Sequence, residues 1–151
     1  MKKFEFKLEV LLKHRKRIEE NAQREYLQAR AELEECLAVI KSYYLSIENN
    51  RDDILRMQKS GQQSALQEIR GMEQFIDGQK IRVERQRQVA RELMIKVEQA
   101  QERLIEAAKE FKKIEKLKER QTLEYKKDQR KLEAKRMDDL VVIRAGRKEA
   151  R

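Results

Sequence analysis

Residues 69–114 read IRGMEQFIDGQKIRVERQRQVARELMIKVEQAQERLIEAAKEFKKI, and this stretch decides the fold. Starting at Ile69, steps that alternate between three and four residues define fourteen positions ending at Ile114, and twelve of the fourteen are apolar. The two exceptions are Gln79 and Gln86. This spacing is typical of a coiled-coil seam, the line of apolar side chains along which one helix packs on another. The sequence therefore predicts a long helix with a helical partner.

The segment before Gly61 carries a second seam of similar spacing, with one 3-4-4 slip between Ala22 and Tyr26, and Arg15 and Asn50 interrupt it. Its apolar members are Phe4, Leu8, Leu11, Ile18, Ala22, Tyr26, Ala29, Leu33, Cys36, Ile40, Tyr43, Ile47, Ile54 and Met57. Ser60 and Gly61 are the strongest turn signal in the chain, and Ser64 with Gln67 predicts a capping box for the next helix. The two seams can therefore pack on each other around this turn.

We predict an all-α fold, a long antiparallel two-helix coiled-coil hairpin that forms one domain over residues 1–151. The first helix is expected over about residues 3–58 and the second over about 72–145. A turn with a short broken helix is expected between them, because Gly71 and Gly78 each weaken a helix by roughly 1 kcal/mol. The composition agrees, since 43% of the residues are charged, Pro is absent and Gly occurs four times.

The second helix is predicted to be longer than its partner. Folding the chain about residues 59–64 places Phe4 and Leu8 opposite residues 115–119, and the second seam fades near Leu117. Residues from about 118 to 145 should therefore overhang, including the stretch LEYKKDQRKLEAKRMDD at 123–139. This helix-forming stretch lacks an apolar face of its own, so we expect it to pack against another protein.

The net charge of +9 is concentrated in the same region. Residues 109–151 contain 16 Lys and Arg against 9 Asp and Glu, and the apolar run LVVI stands at 140–143. Acidic residues are interleaved with the basic ones, which favours a protein-facing helix over a track for nucleic-acid phosphates. The LVVI run fits either insertion into an apolar collar or an exposed, frayed helix end. We predict a protein partner and no nucleic acid.

The residue types that perform catalysis are nearly absent. The chain has one His, one Cys and no Gly-rich phosphate loop. His14 lies among charged residues, and Cys36 lies on the seam as a small core residue. We predict no enzyme, no cofactor and no metal site. The charges inside the N-terminal apolar run exclude a secretory signal, and no stretch is apolar enough for a transmembrane segment, so we expect a cytoplasmic protein.

Three segments resemble the flagellar export protein FliJ family. They are FEFKLEVLLKHRKRIEE at 4–20, QFIDGQK at 74–80 and, most specifically, KLKERQTLEYKKDQRKLEAKRMDDLVVIRAGR at 116–147. The resemblance implies an antiparallel coiled coil similar to the central stalk of rotary ATPases. It also implies a place in bacterial flagellum biogenesis, and hence in motility and chemotaxis, peripherally associated with the inner membrane at the export apparatus.

The resemblance further implies three kinds of partner. These are the hexameric export ATPase FliI, the export-gate protein FlhA, and export chaperones such as FlgN and FliT. We expect the ATPase ring to contact Lys126, Lys127, Arg130, Lys131, Lys135, Arg136, Leu140, Val141, Val142 and Ile143. By the family's QFI motif, the export gate is expected to contact Phe75, Gln79, Arg82 and Gln86.

Two alternatives remain open from the sequence. One is the equivalent stalk of a virulence-type secretion system. The other is a structural coiled-coil adaptor that dimerises, using the spare length of the second helix as its interface.

Overall fold

The computed structural model describes residues 3–61, 63 and 65–149. Nearly all of them belong to two α-helices, α1 (Glu9–Ser60, 52 residues) and α2 (Ala65–Glu149, 85 residues). The described residues include no strand. The chain divides into a terminal unit, Met1–Glu20 with Glu106–Arg151, and a turn unit, Asn21–Ile105, and each helix contributes to both.

The turn unit contains a continuous apolar core built from the two predicted seams. Its buried members are Cys36, Ile40, Ile47 and Ile54 of α1 with Ala65, Ile69, Ile76, Val83 and Ala90 of α2. Cys36 contacts Gln86, whereas Ser46, further along α1, contacts Gln79, earlier on α2. The helices are therefore antiparallel. The predicted fold class, an antiparallel two-helix coiled coil with a longer second helix, is confirmed.

The predicted turn is confirmed at Ser60 and Gly61. α1 ends at Ser60, and Gly61 has a φ of 66°, the left-handed conformation in which glycine commonly terminates a helix. The Ser60 hydroxyl donates to the Met57 carbonyl at 2.7 Å, which satisfies one acceptor of the last turn. Ser64 lies outside the residues that the structure describes, so the capping box stays a prediction.

The expected broken helix over residues 59–71 is wrong. α2 begins at Ala65 and continues through Gly71 and Gly78 without interruption. Ala65, Ile69 and Ile76 are all buried in the core, so apolar packing offsets the low helix propensity of the two glycines. At its other end α2 reaches Glu149, four residues beyond the expected limit of about 145.

The start of α1 also differs from the expectation. α1 begins at Glu9 rather than at about residue 3, and Phe6 is buried ahead of it. Phe4 packs on Tyr125, with ring centroids 5.5 Å apart, whereas residues 115–119 were expected opposite it. The alternating sequence Phe-Glu-Phe suits a non-helical segment that lays both phenylalanines on one side. These aromatic contacts outweigh helix formation over residues 3–8.

The terminal unit is packed less completely than the turn unit. Among its described residues, Phe6 and Ala107 are the only buried hydrophobic ones. Leu8 and Leu11, expected in the seam, are 38% and 36% exposed, and Phe111 and Ile114 are half-buried. Because helices of this length depend on buried apolar area for stability, the terminal unit is the less stable part of each helix.

Residues 130–149 form the part of α2 that is exposed throughout, and we call it the terminal segment. Half-buried residues extend along α2 to Tyr125 and Gln129, about three turns beyond the expected limit at residue 118. The reason is the N-terminal segment, since Phe4 covers Tyr125 and Glu9 pairs with Lys118 at 2.8 Å. The overhang is therefore real but shorter than the sequence predicts.

Candidate interaction surfaces

The terminal segment presents a basic helical surface. It carries seven Lys and Arg against four Asp and Glu, a net charge of +3. Lys126 and Lys127 precede it and are exposed as well. All six basic residues predicted to contact a ring are therefore accessible: Lys126, Lys127, Arg130, Lys131, Lys135 and Arg136. Ordered helical backbone holds their side chains on one element, where a partner can contact several of them at once.

The same segment carries apolar side chains that nothing in the described chain covers. Leu140, Val141, Val142 and Ile143 are 54%, 63%, 69% and 53% exposed. They lie within α2. At 100° per residue, Leu132, Leu140 and Ile143 fall within about 80° of one another, in line with Tyr125 and Gln129. The stripe of α2 side chains that packs on α1 therefore continues along α2 beyond its contacts with α1.

Gln79 is an interior residue, although the sequence predicted it in a partner-binding surface. Only 5% of it is exposed. Its Nε2 donates to the Ser46 hydroxyl at 3.3 Å, and its Oε1 accepts from Arg82 Nη1 at 2.9 Å. A buried amide needs such partners, because an unpaired one would cost roughly 1–3 kcal/mol. Gln79 therefore bridges the helices and also orients Arg82.

Gln86 is half-buried and has a similar position one heptad further along α2. The Cys36 thiol donates to the Gln86 backbone oxygen and lies 3.5 Å from its Oε1. Cys36 is itself buried, so it serves as a core residue, as predicted for a seam cysteine. Of the four residues predicted to contact the export gate, only Phe75 and Arg82 are exposed.

Phe75 lines a groove that the sequence analysis did not identify. The groove has a volume of about 770 Å³, and its apolar lining residues are Leu45 of α1 with Met72 and Phe75 of α2. Leu45 is 51% exposed and Phe75 45% exposed. Gly71 also lines the groove, and a Cβ added to it would meet nothing within 4 Å. Leu45 lies outside the seam pattern, so periodicity alone gave no signal for it.

The described residues offer no assembled catalytic chemistry. No group of three or more His, Cys, Asp or Glu side chains among them is arranged to hold a metal ion. His14 is exposed on α1 and does not reach a partner in the part of the chain that the structure describes. The surfaces above are open grooves and helix faces, which suit recognition of proteins better than enclosure of a substrate.

A family model described as "Flagellar FliJ protein" matches residues 4–150. The chain belongs to the FliJ family. The match includes both the terminal segment and the Phe75 groove, and it confirms the resemblance found at both ends of the sequence. No curated protein and no solved structure matches the chain.

Membership of the FliJ family, a family of non-catalytic export components, gives the chain a role associated with flagellar export. In the residues that the structure describes, neither helix is long and apolar enough to cross a membrane.

Proposed function

We propose that the chain is a non-enzymatic stalk of the flagellar type III export apparatus and that its terminal segment enters the hexameric export ATPase. The observation that carries the proposal is a helix exposed on all sides over residues 130–149, which continues beyond its own partner helix. A free helix needs a partner to offset the cost of exposing an apolar stripe. A ring of six subunits offers a narrow bore that a single helix, about 10–12 Å wide, can occupy.

The charge of the terminal segment supports its entry into the bore of the ring. A net charge of +3 favours a bore lined with acidic residues, and complementary charge speeds association as well as selecting the partner. The apolar run LVVI, from Leu140 to Ile143, would meet an apolar collar within the ring. Its four consecutive apolar residues point in all directions around the helix, which suits a binding site that encloses the helix.

Truncation tests this proposal directly. Turnover of the cognate export ATPase would be measured alone, with the full chain, with a chain ending at Gln129 and with one ending at Leu117. We expect stimulation by the full chain and none by the chain ending at Gln129, because all the described residues that it lacks, 130–149, are exposed. If the chain ending at Gln129 stimulates as well as the full chain, the terminal segment does not engage the ring.

Point variants separate the two components of this surface. Lys135→Glu with Arg136→Glu removes the charge complementarity, whereas Val141→Ser with Val142→Ser removes apolar contact. Both pairs are exposed, so neither change should disturb folding. A suitable control is Lys41→Glu with Arg51→Glu, an exposed pair in the turn unit. Stimulation lost equally in the control would indicate a general effect of net charge.

The Phe75 groove is proposed as the contact with the export gate at the cytoplasmic face of the inner membrane. Its exposed apolar lining, Leu45 and Phe75, supports a bound peptide or helix, and Arg82 is exposed on the same helix. Gly71 leaves space at the groove through which a partner's backbone can approach closely. Escort of export chaperones is the third proposed activity, and no surface here is assigned to it.

Variants of the groove test the gate proposal. Phe75→Ala and Leu45→Ala should each weaken binding of the purified cytoplasmic domain of the gate by about tenfold or more, as for apolar anchors in other interfaces. Leu66→Ala is the matched control, because Leu66 is 61% exposed on α2 and does not line the groove. Unchanged gate binding in both groove variants, with helicity retained, would make Phe75 and Leu45 ordinary surface residues.

A further inference from the structure

A second groove lies within the terminal unit and is separate from the terminal segment. It has a volume of about 660 Å³ and is formed by residues 9–16 of α1 and 111–123 of α2. Its apolar residues are Leu12, Phe111 and Leu123, of which Leu123 is 60% exposed. The Thr122 hydroxyl donates to the Lys118 carbonyl at 2.7 Å, so it adds no unpaired polar group to the lining.

The two rims of this groove carry opposite charges. Lys13 and Lys16 line it from α1, and Glu115 and Glu119 line it from α2, and we call these pairs the two rims. Glu9 and Lys118 also line the groove, but they pair with each other at 2.8 Å and neutralise one another. In the part of the chain that the structure describes, none of the four rim side chains has an ion-pair partner. Each rim places like charges three or four residues apart on one helix, an arrangement that weakens an isolated helix slightly. The rims therefore offer unpaired basic charge on one side and unpaired acidic charge on the other.

We propose that this groove binds an amphipathic α-helix of a partner protein, with an acidic edge against Lys13 and Lys16 and a basic edge against Glu115 and Glu119. The bound helix would complete a three-helix arrangement and cover apolar surface in the unit that buries least of its own. Because turning the helix end to end exchanges its two edges, the rims also fix the direction in which it binds. Helix in a groove is a recurrent mode of recognition, and edge charges set partner choice and orientation in coiled coils.

This inference does not rest on the proposed ring contact, since the groove residues lie outside the terminal segment. The two proposals can therefore fail separately. A chain ending at Gln129 retains the whole groove, so it should lose stimulation of the ATPase while keeping the helix-binding activity.

The test uses the full chain and labelled synthetic helical peptides of about 18 residues, or five turns. The first peptide has Leu anchors on one face, Glu along one edge and Lys along the other. The second has the same anchors with Lys along both edges, and a third has the edges of the first with Ala in place of the anchors. Binding is measured by fluorescence anisotropy, and peptide helicity by circular dichroism.

We expect the wild-type chain to prefer the first peptide. Lys13→Glu with Lys16→Glu makes both rims acidic. The double substitution should therefore lower the affinity for the first peptide and raise the affinity for the second, each by about tenfold. Leu123→Ser should lower the affinity for both peptides, and the variant should still fold because Leu123 is mostly exposed. Lys41→Glu with Arg51→Glu introduces the same charge change in the turn unit and should leave the preference unchanged.

Four results would overturn the proposal. The first is that the wild-type chain does not measurably bind the first peptide, and the second is that it binds the peptide with Ala anchors as tightly as the first peptide. The third is that the Lys13→Glu, Lys16→Glu variant keeps the wild-type preference between the first and second peptides. The fourth is that the control variant changes this preference in the same way. The altered lysines are exposed and unpaired, so thermal unfolding of the variant serves to verify that it folds.

Discussion

Two polar residues stand in the α2 seam, and each faces a side chain on α1 that can hydrogen-bond to it. Gln79 contacts Ser46 at 3.3 Å, and Gln86 contacts Cys36 at 3.5 Å. Because Gln79 and Gln86 are one heptad apart, a slip of one heptad would place one of them beside the other's partner and leave the remaining amide without its own partner on α1. Polar residues at single seam positions set the register of other coiled coils at some cost in stability. Gln79, the more deeply buried, is therefore the main register determinant here.

Replacing Gln79 by Leu should raise thermal stability and weaken the definition of the register. Leucine suits the buried site, while Arg82 keeps access to water. We expect a gain of about 1 kcal/mol in the free energy of unfolding, measured by circular dichroism with urea. The control is Gln88→Leu at an exposed site. A loss of stability in Gln79→Leu alone would mean that the hydrogen bonds of the amide are net stabilising.

Arg87 links the helices at the surface of the turn unit, as Arg103 does through its ion pair with Glu25 at 3.7 Å. The Arg87 guanidinium hydrogen-bonds the Tyr44 hydroxyl, lies 5.7 Å from the centroid of that ring and pairs with Glu84 at 3.1 Å. Its side chain is 49% exposed, so screening by water limits the gain. Arg87→Ala should lower the free energy of unfolding by about 1 kcal/mol, and Arg87→Lys by nearly as much.

Urea denaturation measures this effect, and Arg85→Ala is its control on an exposed neighbour. If Arg87→Lys restores full stability, charge alone accounts for the contribution. In that case the planar contact with Tyr44 has no measurable role.

At the scale of the helices, α2 tolerates two glycines that its own packing does not require. Neither Gly71 nor Gly78 has a positive φ, and a Cβ at either position would meet nothing within 4 Å. The helix continues through both because Ile69 and Ile76 anchor it in the core. Gly61 is different, since its φ of 66° ends α1.

Gly71→Ala and Gly78→Ala should therefore each stabilise the chain, whereas Gly61→Ala should destabilise it. The expected size is about 1 kcal/mol in each case, from helix propensity for the first two and backbone strain for the third. Thermal unfolding of the three single variants checks the signs. A destabilising Gly71→Ala would contradict the open space found beside this residue.

The periodicity of the sequence correctly predicted which residues of α2 pack on α1, because this depends on repeated local spacing. All fourteen α2 seam positions from Ile69 to Ile114 are buried or half-buried, including the two glutamines. Periodicity failed where tertiary contacts override the local pattern. The helix α2 continues unbroken through Gly71 and Gly78, and Phe4 packs on Tyr125 instead of on residues 115–119. For the surfaces, sequence alone could select basic and apolar residues. It could not find Leu45 beside Phe75, because both residues lie outside the two seams and only the packing of α1 on α2 brings them together.

At the scale of the whole molecule, stability should depend on where α2 is cut. A chain ending at Gln129 loses the exposed residues 130–149 of α2, so its melting temperature should stay within about 2 °C of the full chain. A chain ending at Leu117 loses Lys118 and Tyr125, the partners of Glu9 and Phe4, and should be less stable by about 1–2 kcal/mol. Scanning calorimetry of the two truncations tests this difference, and equal melting temperatures would contradict it.

The free chain should be a monomer of 18.2 kDa. Its core seam residues already have partners on the same chain, and the net charge of +3 on the terminal segment opposes pairing of two copies. Light scattering coupled to gel filtration measures the mass across a range of concentrations and salt. A stable dimer at low salt would instead favour the adaptor that pairs through its spare helix.

The contact between Phe4 and Tyr125 joins residues 121 positions apart, whereas Ile54 and Ala65 in the core are only 11 apart. Closing a short loop costs less entropy than closing a long one, so the helices should zip together from the turn outwards. During synthesis on the ribosome, Phe4 is consequently made long before Tyr125, its partner. Until residue 125 emerges, Phe4 and Phe6 stay exposed on the nascent chain, and during this time a general chaperone can bind them.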